Sequence, residues 1–146
     1  MIRPLSPVDR EFYLAMTENF YGSDAVIAPI PKEYAERTFA LLMEGSPYAE
    51  GYVLEQDGKR AGYALLAKTW SQEAGGLTVW LEELYVVPEA RGCGLGKEFL
   101  RFLEQKYEGT ARRFRLEVEE ENEGAVRLYK AFGFEFFPYD QMKKEL

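Results

Sequence analysis

Three glycines alternate in the segment Pro88-Glu89-Ala90-Arg91-Gly92-Cys93-Gly94-Leu95-Gly96-Lys97. Positions without a Cβ let successive backbone N–H groups converge on an anion. Leu95, Phe99, Phe102 and Leu103 recur at helical spacing immediately afterwards, which puts the turn at the positive end of a helix. A phosphate or diphosphate is the ligand such a cradle fits, and Arg91 stands within reach of one. Upstream, Glu82 and Glu83 interrupt the apolar run Leu77–Val87. Carboxylates in such a run are costly unless they are paired or put to use. Neighbours on a strand face opposite sides, so one of the two is expected in a cleft, and Arg113 and Arg115 are the competing ion-pair partners. Downstream, Tyr129 belongs to a helical stripe with Ala125, Leu128 and Phe132. A phenol with an ordinary pKa near 10 is protonated at neutral pH and able to act as a general acid.

What the chain lacks narrows the chemistry further. It has no histidine, which removes His-based triads and the commonest zinc and iron sites, so no metal is expected. Cys93 is the lone cysteine, without an internal disulfide partner or a basic histidine to activate it. A net charge of −7 argues against nucleic-acid binding and favours cationic partners. No apolar run approaches the ~20 residues that span a bilayer, and a cytoplasmic location follows as the expectation. Other phosphate motifs fail on spacing. A Walker A loop ending at Gly96-Lys97 requires glycine in place of Arg91 and Ser or Thr in place of Glu98. A dinucleotide fingerprint starting at Gly92 requires glycine in place of Lys97.

The elements that would carry these residues fit one domain over residues 1–146. Ile2–Leu5 reads as a strand. Ser6 as N-cap, Pro7 at N1 and Asp9 at N3 open a helix with an apolar stripe at Val8, Phe12, Met16 and Phe20. A loop over Tyr21–Ile30 leads to a helix from about Pro31 to Glu44. Asp57-Gly58 then joins two strands in a hairpin, Gly75-Gly76 turns into the long strand Leu77–Val87, and the glycine-rich turn opens a helix reaching about Tyr107. Phe114–Val118 alternates as a strand, Glu123–Phe132 is helical up to Gly133, and Glu135–Phe137 and Gln141–Leu146 are read as closing strands. The predicted order is βααβββαβαββ, a mixed α/β, mostly antiparallel sheet flanked by helices.

Two segments together resemble the GNAT superfamily of N-acetyltransferases. Arg91-Gly92-Cys93-Gly94-Leu95-Gly96 matches its R/Q-x-x-G-x-G/A signature, and Asn122, Ala125, Leu128-Tyr129 and Phe132-Gly133-Phe134 match N-x-x-A-x-x-L-Y-x-x-x-G-F. Leu81 to Glu89 is most similar to the diamine (spermidine/spermine) branch. The resemblance implies acetyl-CoA as co-substrate. Backbone groups of Leu84 and Val86, with Tyr85 between them, would hold the pantetheine arm, and the amides of Gly92, Cys93, Gly94, Leu95, Gly96 and Lys97 its diphosphate. Asn122, Ala125 and Tyr129 would complete the coenzyme site. It further implies Glu82 as the base that deprotonates the amine, commonly through water, and Tyr129 as the acid for the departing thiolate. Glu83 would meet a second ammonium, and Asp24, Trp70 and Glu73 are candidates for the substrate lining, where the Tyr21–Pro31 loop and the Thr69–Gly76 turn are expected to approach Glu82. Homodimers are common in this superfamily, though no segment of this chain is dedicated to one. A protein amine as acceptor, a non-catalytic acyl-CoA sensor and plain nucleotide binding are the rival readings. Gly94→Val is expected to abolish acetyl-CoA binding in calorimetry while circular dichroism stays native; retained binding contradicts the cradle.

Overall fold

The computed structural model describes residues 1–146. Five strands form one sheet in sequence order: β1 (Ile2–Pro4), β2 (Ala49–Gln56), β3 (Lys59–Ser71), β4 (Gly76–Val86) and β5 (Ala111–Leu116). Neighbours β1 to β4 pair antiparallel, and β4 and β5 pair parallel. A parallel pair needs a crossover, and α3 (Leu95–Lys106) supplies it. The other helices are α1 (Arg10–Tyr21), α2 (Lys32–Glu44) and α4 (Glu123–Ala131).

Strand alternation divides the apolar side chains between two cores. Tyr52, Leu54, Ala64, Leu66, Val79 and Leu81 pack against Leu95, Phe99 and Leu103 of α3. Val53, Tyr63 and Tyr85 turn to the other face, against Tyr13 and Phe20 of α1 and Phe39 of α2. Period-two alternation explains β2, and β3 from Tyr63 onward; near the start of β3 Ala61 is an extra residue in the pairing with β2, and it shares the α3 side with Ala64. In β4 the alternation breaks: Leu81 faces α3, whereas Tyr85, an even number of residues later, faces α1. The register gives the cause. Leu66 pairs with Leu81 and Leu65 with Glu83, so Glu82 is an extra residue, a β-bulge that reverses the parity of the strand beyond it.

The element order agrees with the sequence reading as far as α4. Residues 132–146 then form no helix or strand, so the expected strands Glu135–Phe137 and Gln141–Leu146 are not made. The segment crosses the outer edge of β5, with the Phe137 ring against the guanidinium groups of Arg113 and Arg115. Side-chain stacking there replaces the main-chain ladder that the alternation suggested. The first helix also differs: Pro7–Asp9 is a 3-10 turn, Val8 is exposed, and Tyr13, Leu14, Thr17 and Phe20 form the buried stripe.

The displaced stripe follows from Asp9, which is fully buried. Its carboxylate accepts two bonds from the Arg3 guanidinium (2.7 and 2.9 Å), one from the Ser6 backbone N–H (2.9 Å) and one from the Ser6 hydroxyl (2.8 Å). Arg3 also donates to Glu55 at 2.7 Å, so one ionic cluster fastens β1, the first turn and β2. The Arg3 hydrogen bonds outweigh the cost of burial and, helped by Ser6, hold the Asp9 carboxyl well below the usual carboxylate range. A depressed pKa contributes stability above the unfolded value near 4, and that contribution is lost as the pH falls further. Asp9→Ala should therefore lower the unfolding free energy by about 3 kcal/mol at pH 7 in urea titrations, since it strands a partly buried guanidinium. The gap to wild type should narrow below about pH 4; a gap independent of pH would rule out the ionic role.

Candidate active site

The ladder between β4 and β5 ends at the Leu81–Leu116 pair. Beyond that rung β4 continues to Val86, bonded to β3 alone. Val87 N–H donates to the Ala61 carbonyl at 2.8 Å, which fixes which peptide groups point to β3. Alternation then turns the N–H and C=O groups of Leu84 and Val86 the other way, into the gap left by β5. Gly62 permits the close β3–β4 approach behind them: a Cβ there would sit 2.3 Å from the Tyr85 carbonyl oxygen.

The glycine-rich turn lies beyond the open end of β4. Gly94 is the N-cap of α3, with φ of +87°, a left-handed conformation that L side chains adopt only with strain. The first helical bond runs from Glu98 N–H to the Gly94 carbonyl, so the N–H groups of Leu95, Gly96 and Lys97 have no acceptor within the helix. Nothing stands within 4 Å of the space that a Cβ on Gly92 or Gly94 would occupy. Gly96 works differently: a Cβ there would lie 3.1 Å from Leu128 of α4, so the missing side chain lets α3 and α4 touch. Lys97 and Arg101 line a shallow cleft between these helices. The donor set fits a diphosphate joined to an amide chain, because helix N–H groups face open space and unpaired strand amides follow from the same turn. Arg91 has contacts within the protein that the sequence reading did not foresee. Its side chain folds back, donating to the Val86 carbonyl at 2.9 Å and lying over the Tyr85 ring, rather than reaching into the cradle. Cys93 is exposed, its sulfur 3.8 Å from the Arg91 carbonyl.

The bulge decides where the two adjacent glutamates go. Leu81 and Leu84 both pack toward α3, so Glu82 and Glu83 both lie on the α1 side, contrary to the expectation that one alone would. Glu83 is buried and accepts hydroxyl hydrogen bonds from Tyr63 (2.6 Å) and from Tyr21 of α1. Burial raises its pKa and the two tyrosine bonds offset that in part. Glu82 is solvent-accessible at the fork yet crowded by surrounding protein. That crowding, then the negative charges of Glu117 and Glu83, raises its pKa as well. Neither acid pairs with Arg113 or Arg115. Arg113 approaches Glu73 at 3.7 Å and Arg115 lies over the Trp80 ring. Tyr21, Tyr63 and Glu117 escaped the sequence reading. Glu117 was findable, since Arg113, Arg115 and Glu117 alternate against Phe114 and Leu116.

Asn122 caps α4, its side-chain oxygen accepting from Ala125 N–H at 3.3 Å. Tyr129, on the same helix, packs with the α3-side core, 5.7 Å from the Phe134 ring. Burial alone pushes its hydroxyl up to about 12. It lines a cleft of about 550 Å³ between β5, α4 and the segment after Gly133. Glu82 and Tyr129 thus flank the parting of β4 and β5 from opposite faces. Two of the other lining candidates, Trp70 and Glu73, lie away from Glu82. Trp70 is 79% exposed and pairs with Leu77, five residues before Glu82 and so roughly 16 Å away along the strand. Glu73 lies in the same distant turn, and Asp24 is exposed in the α1–α2 loop.

Comparison with known proteins gives the same picture. The profile of the acetyltransferase (GNAT) family matches residues 12–134. A spermine/spermidine N(1)-acetyltransferase of Bacillus subtilis (strain 168) is 30% identical over 109 residues, covering 70% of this chain and 72% of that protein. Among solved structures, a possible acetyltransferase from Clostridium difficile 630 superposes with a TM-score of 0.82 at 18% identity, over 100% of this chain and 97% of that one. The aminoglycoside N-acetyltransferase AAC(6')-Iy, in complex with CoA, gives 0.78 at 16% identity, over 99% and 93%. At these identities the structures show the shared fold.

Proposed function

The chain belongs to the GNAT acetyltransferase family, as an acyl-CoA-dependent N-acetyltransferase, and on that premise we propose that it acetylates the primary amine of a small, polyamine-like or otherwise cationic molecule by direct attack. In this reading residues 1–146 act as one transferase domain. The fork beyond Leu81–Leu116 carries the proposal, with Glu82 on one face and Tyr129 on the other.

Acetyl-CoA supplies a thioester carbonyl and a thiolate leaving group. The amides of Leu95, Gly96 and Lys97 take its diphosphate, and the free edge of β4, the peptide groups of Leu84 and the N–H of Val86, pairs with its amide-bearing arm. Glu82 accepts a proton from the bound ammonium, directly or through water, so that the nitrogen lone pair is free to form the new C–N bond. Its raised pKa suits that task, because a base is most effective when its proton affinity lies near the working pH. As the C–S bond breaks, Tyr129 donates its hydroxyl proton to the sulfur. A hydroxyl pushed up to about 12 stays protonated throughout the neutral range. The carboxylates at the fork, with no lysine or arginine bound to them, support a cationic acceptor.

Thiol release over a panel of amines tests the reaction. Tyr129→Phe should lower kcat by about 100-fold with nearly unchanged acetyl-CoA affinity; full turnover removes Tyr129 from the acid role. The acidic limb of the kcat/KM profile should titrate above the ordinary glutamate value of about 4.3 and disappear in Glu82→Gln.

A further inference from the structure

Charge of both signs is laid out along the α1 side of β5. Phe114 and Leu116 pack toward α3, which leaves Arg113, Arg115 and Glu117 on the other face, in that order toward the fork. Arg113 has Glu73 at 3.7 Å. Arg115 is half-buried, yet no carboxylate comes within 4 Å of it and no protein acceptor takes its hydrogen bonds. Its guanidinium carbon lies 4.2 Å from the Trp80 ring centroid and 4.8 Å from that of Phe137. Two aromatic rings hold the group in place by cation–π attraction while accepting none of its five N–H bonds. A planar donor fork fixed this way is matched by a carboxylate, which it binds in bidentate fashion.

We propose that the acceptor amine also carries a carboxylate, bound by Arg115 while Glu82 faces the reacting nitrogen. This rests on the transfer reading above and narrows its substrate to the diamino acids. Arg115 pairs with Trp80, and Glu82 lies two residues further along the same face of β4. Two strand residues along and one strand across place Glu82 and Arg115 on the order of 8 Å apart at the backbone. That separation suits an amine and a carboxylate at opposite ends of a short aliphatic chain. An aliphatic diamine aligned the same way would present its second ammonium to Arg115, and like charges would reject it.

Lysine and cadaverine differ by the α-carboxylate alone, so their kcat/KM ratio, read by thiol release with acetyl-CoA, isolates this contact. The wild type should favour lysine by about tenfold or more, the discrimination of one charged hydrogen-bonded pair. Arg115→Gln should bring the ratio close to one, and Arg115→Lys should leave it between. A wild-type ratio of one or less overturns the proposal, as does an unchanged ratio in Arg115→Gln. The wild-type ratio and Arg115→Lys keep the test decisive if Arg115→Gln does not fold. Acetylation of spermidine but of neither lysine nor cadaverine sinks this inference and leaves the transfer reading standing. No turnover with any amine sinks both.

Discussion

Everything at the site depends on a single interruption of hydrogen bonding, the loss of pairing between β4 and β5 after Leu81 and Leu116. Peptide groups in a sheet are strong donors and acceptors, and a strand that loses its neighbour keeps a row of them unpaired. Here the bulge at Glu82 bends β4 just where β5 ends, so the gap opens beside two carboxylates rather than at the rim of the sheet. In the proposed reading, a ligand with its own amide groups completes the ladder that the protein leaves unfinished. The α3 N-terminus begins where that ladder runs out, so one extended ligand can meet strand edge and helix end in succession.

The two glutamates show how a change of parity becomes a division of labour. With regular alternation one of them would have entered the α3-side core. The extra residue keeps both on the α1 side, but at different depths: Glu83 sinks beneath two tyrosine hydroxyls, while Glu82 stays at the opening. Glu83 is held by neutral donors, so its charge is solvated locally and still felt nearby. Burial first, and then the charges of Glu117 and Glu83, disfavour a further negative charge at the fork, and Glu82 holds its proton more tightly as a result. Tyrosine donors, in place of arginine, leave the cation's place open.

The glycine spacing and the Asn122–Phe134 pattern were legible because each reports a backbone demand. Gly94 takes a positive φ, Gly96 meets Leu128, and Asn122 caps a helix through its side-chain oxygen. The hairpin at Asp57-Gly58 was legible for the same reason, with Asp57 itself at positive φ. The bulge was not, since a run such as Leu81-Glu82-Glu83-Leu84 fits either parity until its pairing partner is known. The Arg91 side-chain bond was not legible because composition says nothing of competing acceptors such as the Val86 carbonyl. The end of the chain was overread for a related reason. Alternating aromatics satisfy a strand pattern, but Phe137 stacks on arginines without forming a ladder. Trp70 was favoured on its chemistry, and its place was set by hairpin length, which that chemistry does not specify.

With residues 132–146 outside the sheet, β5 is a true edge: one side pairs with β4 and the other pairs with no strand. Exposed edges invite a second chain to add on, which is how many sheets aggregate. The sequence of β5, Ala-Arg-Arg-Phe-Arg-Leu, answers that hazard with three guanidinium groups in six residues. Two such edges brought together would set arginine against arginine along their length, and the aromatic segment folded over Arg113 and Arg115 adds a physical obstacle. The same side chains that shape the acceptor face therefore also discourage fibre-like stacking of the enzyme at high concentration.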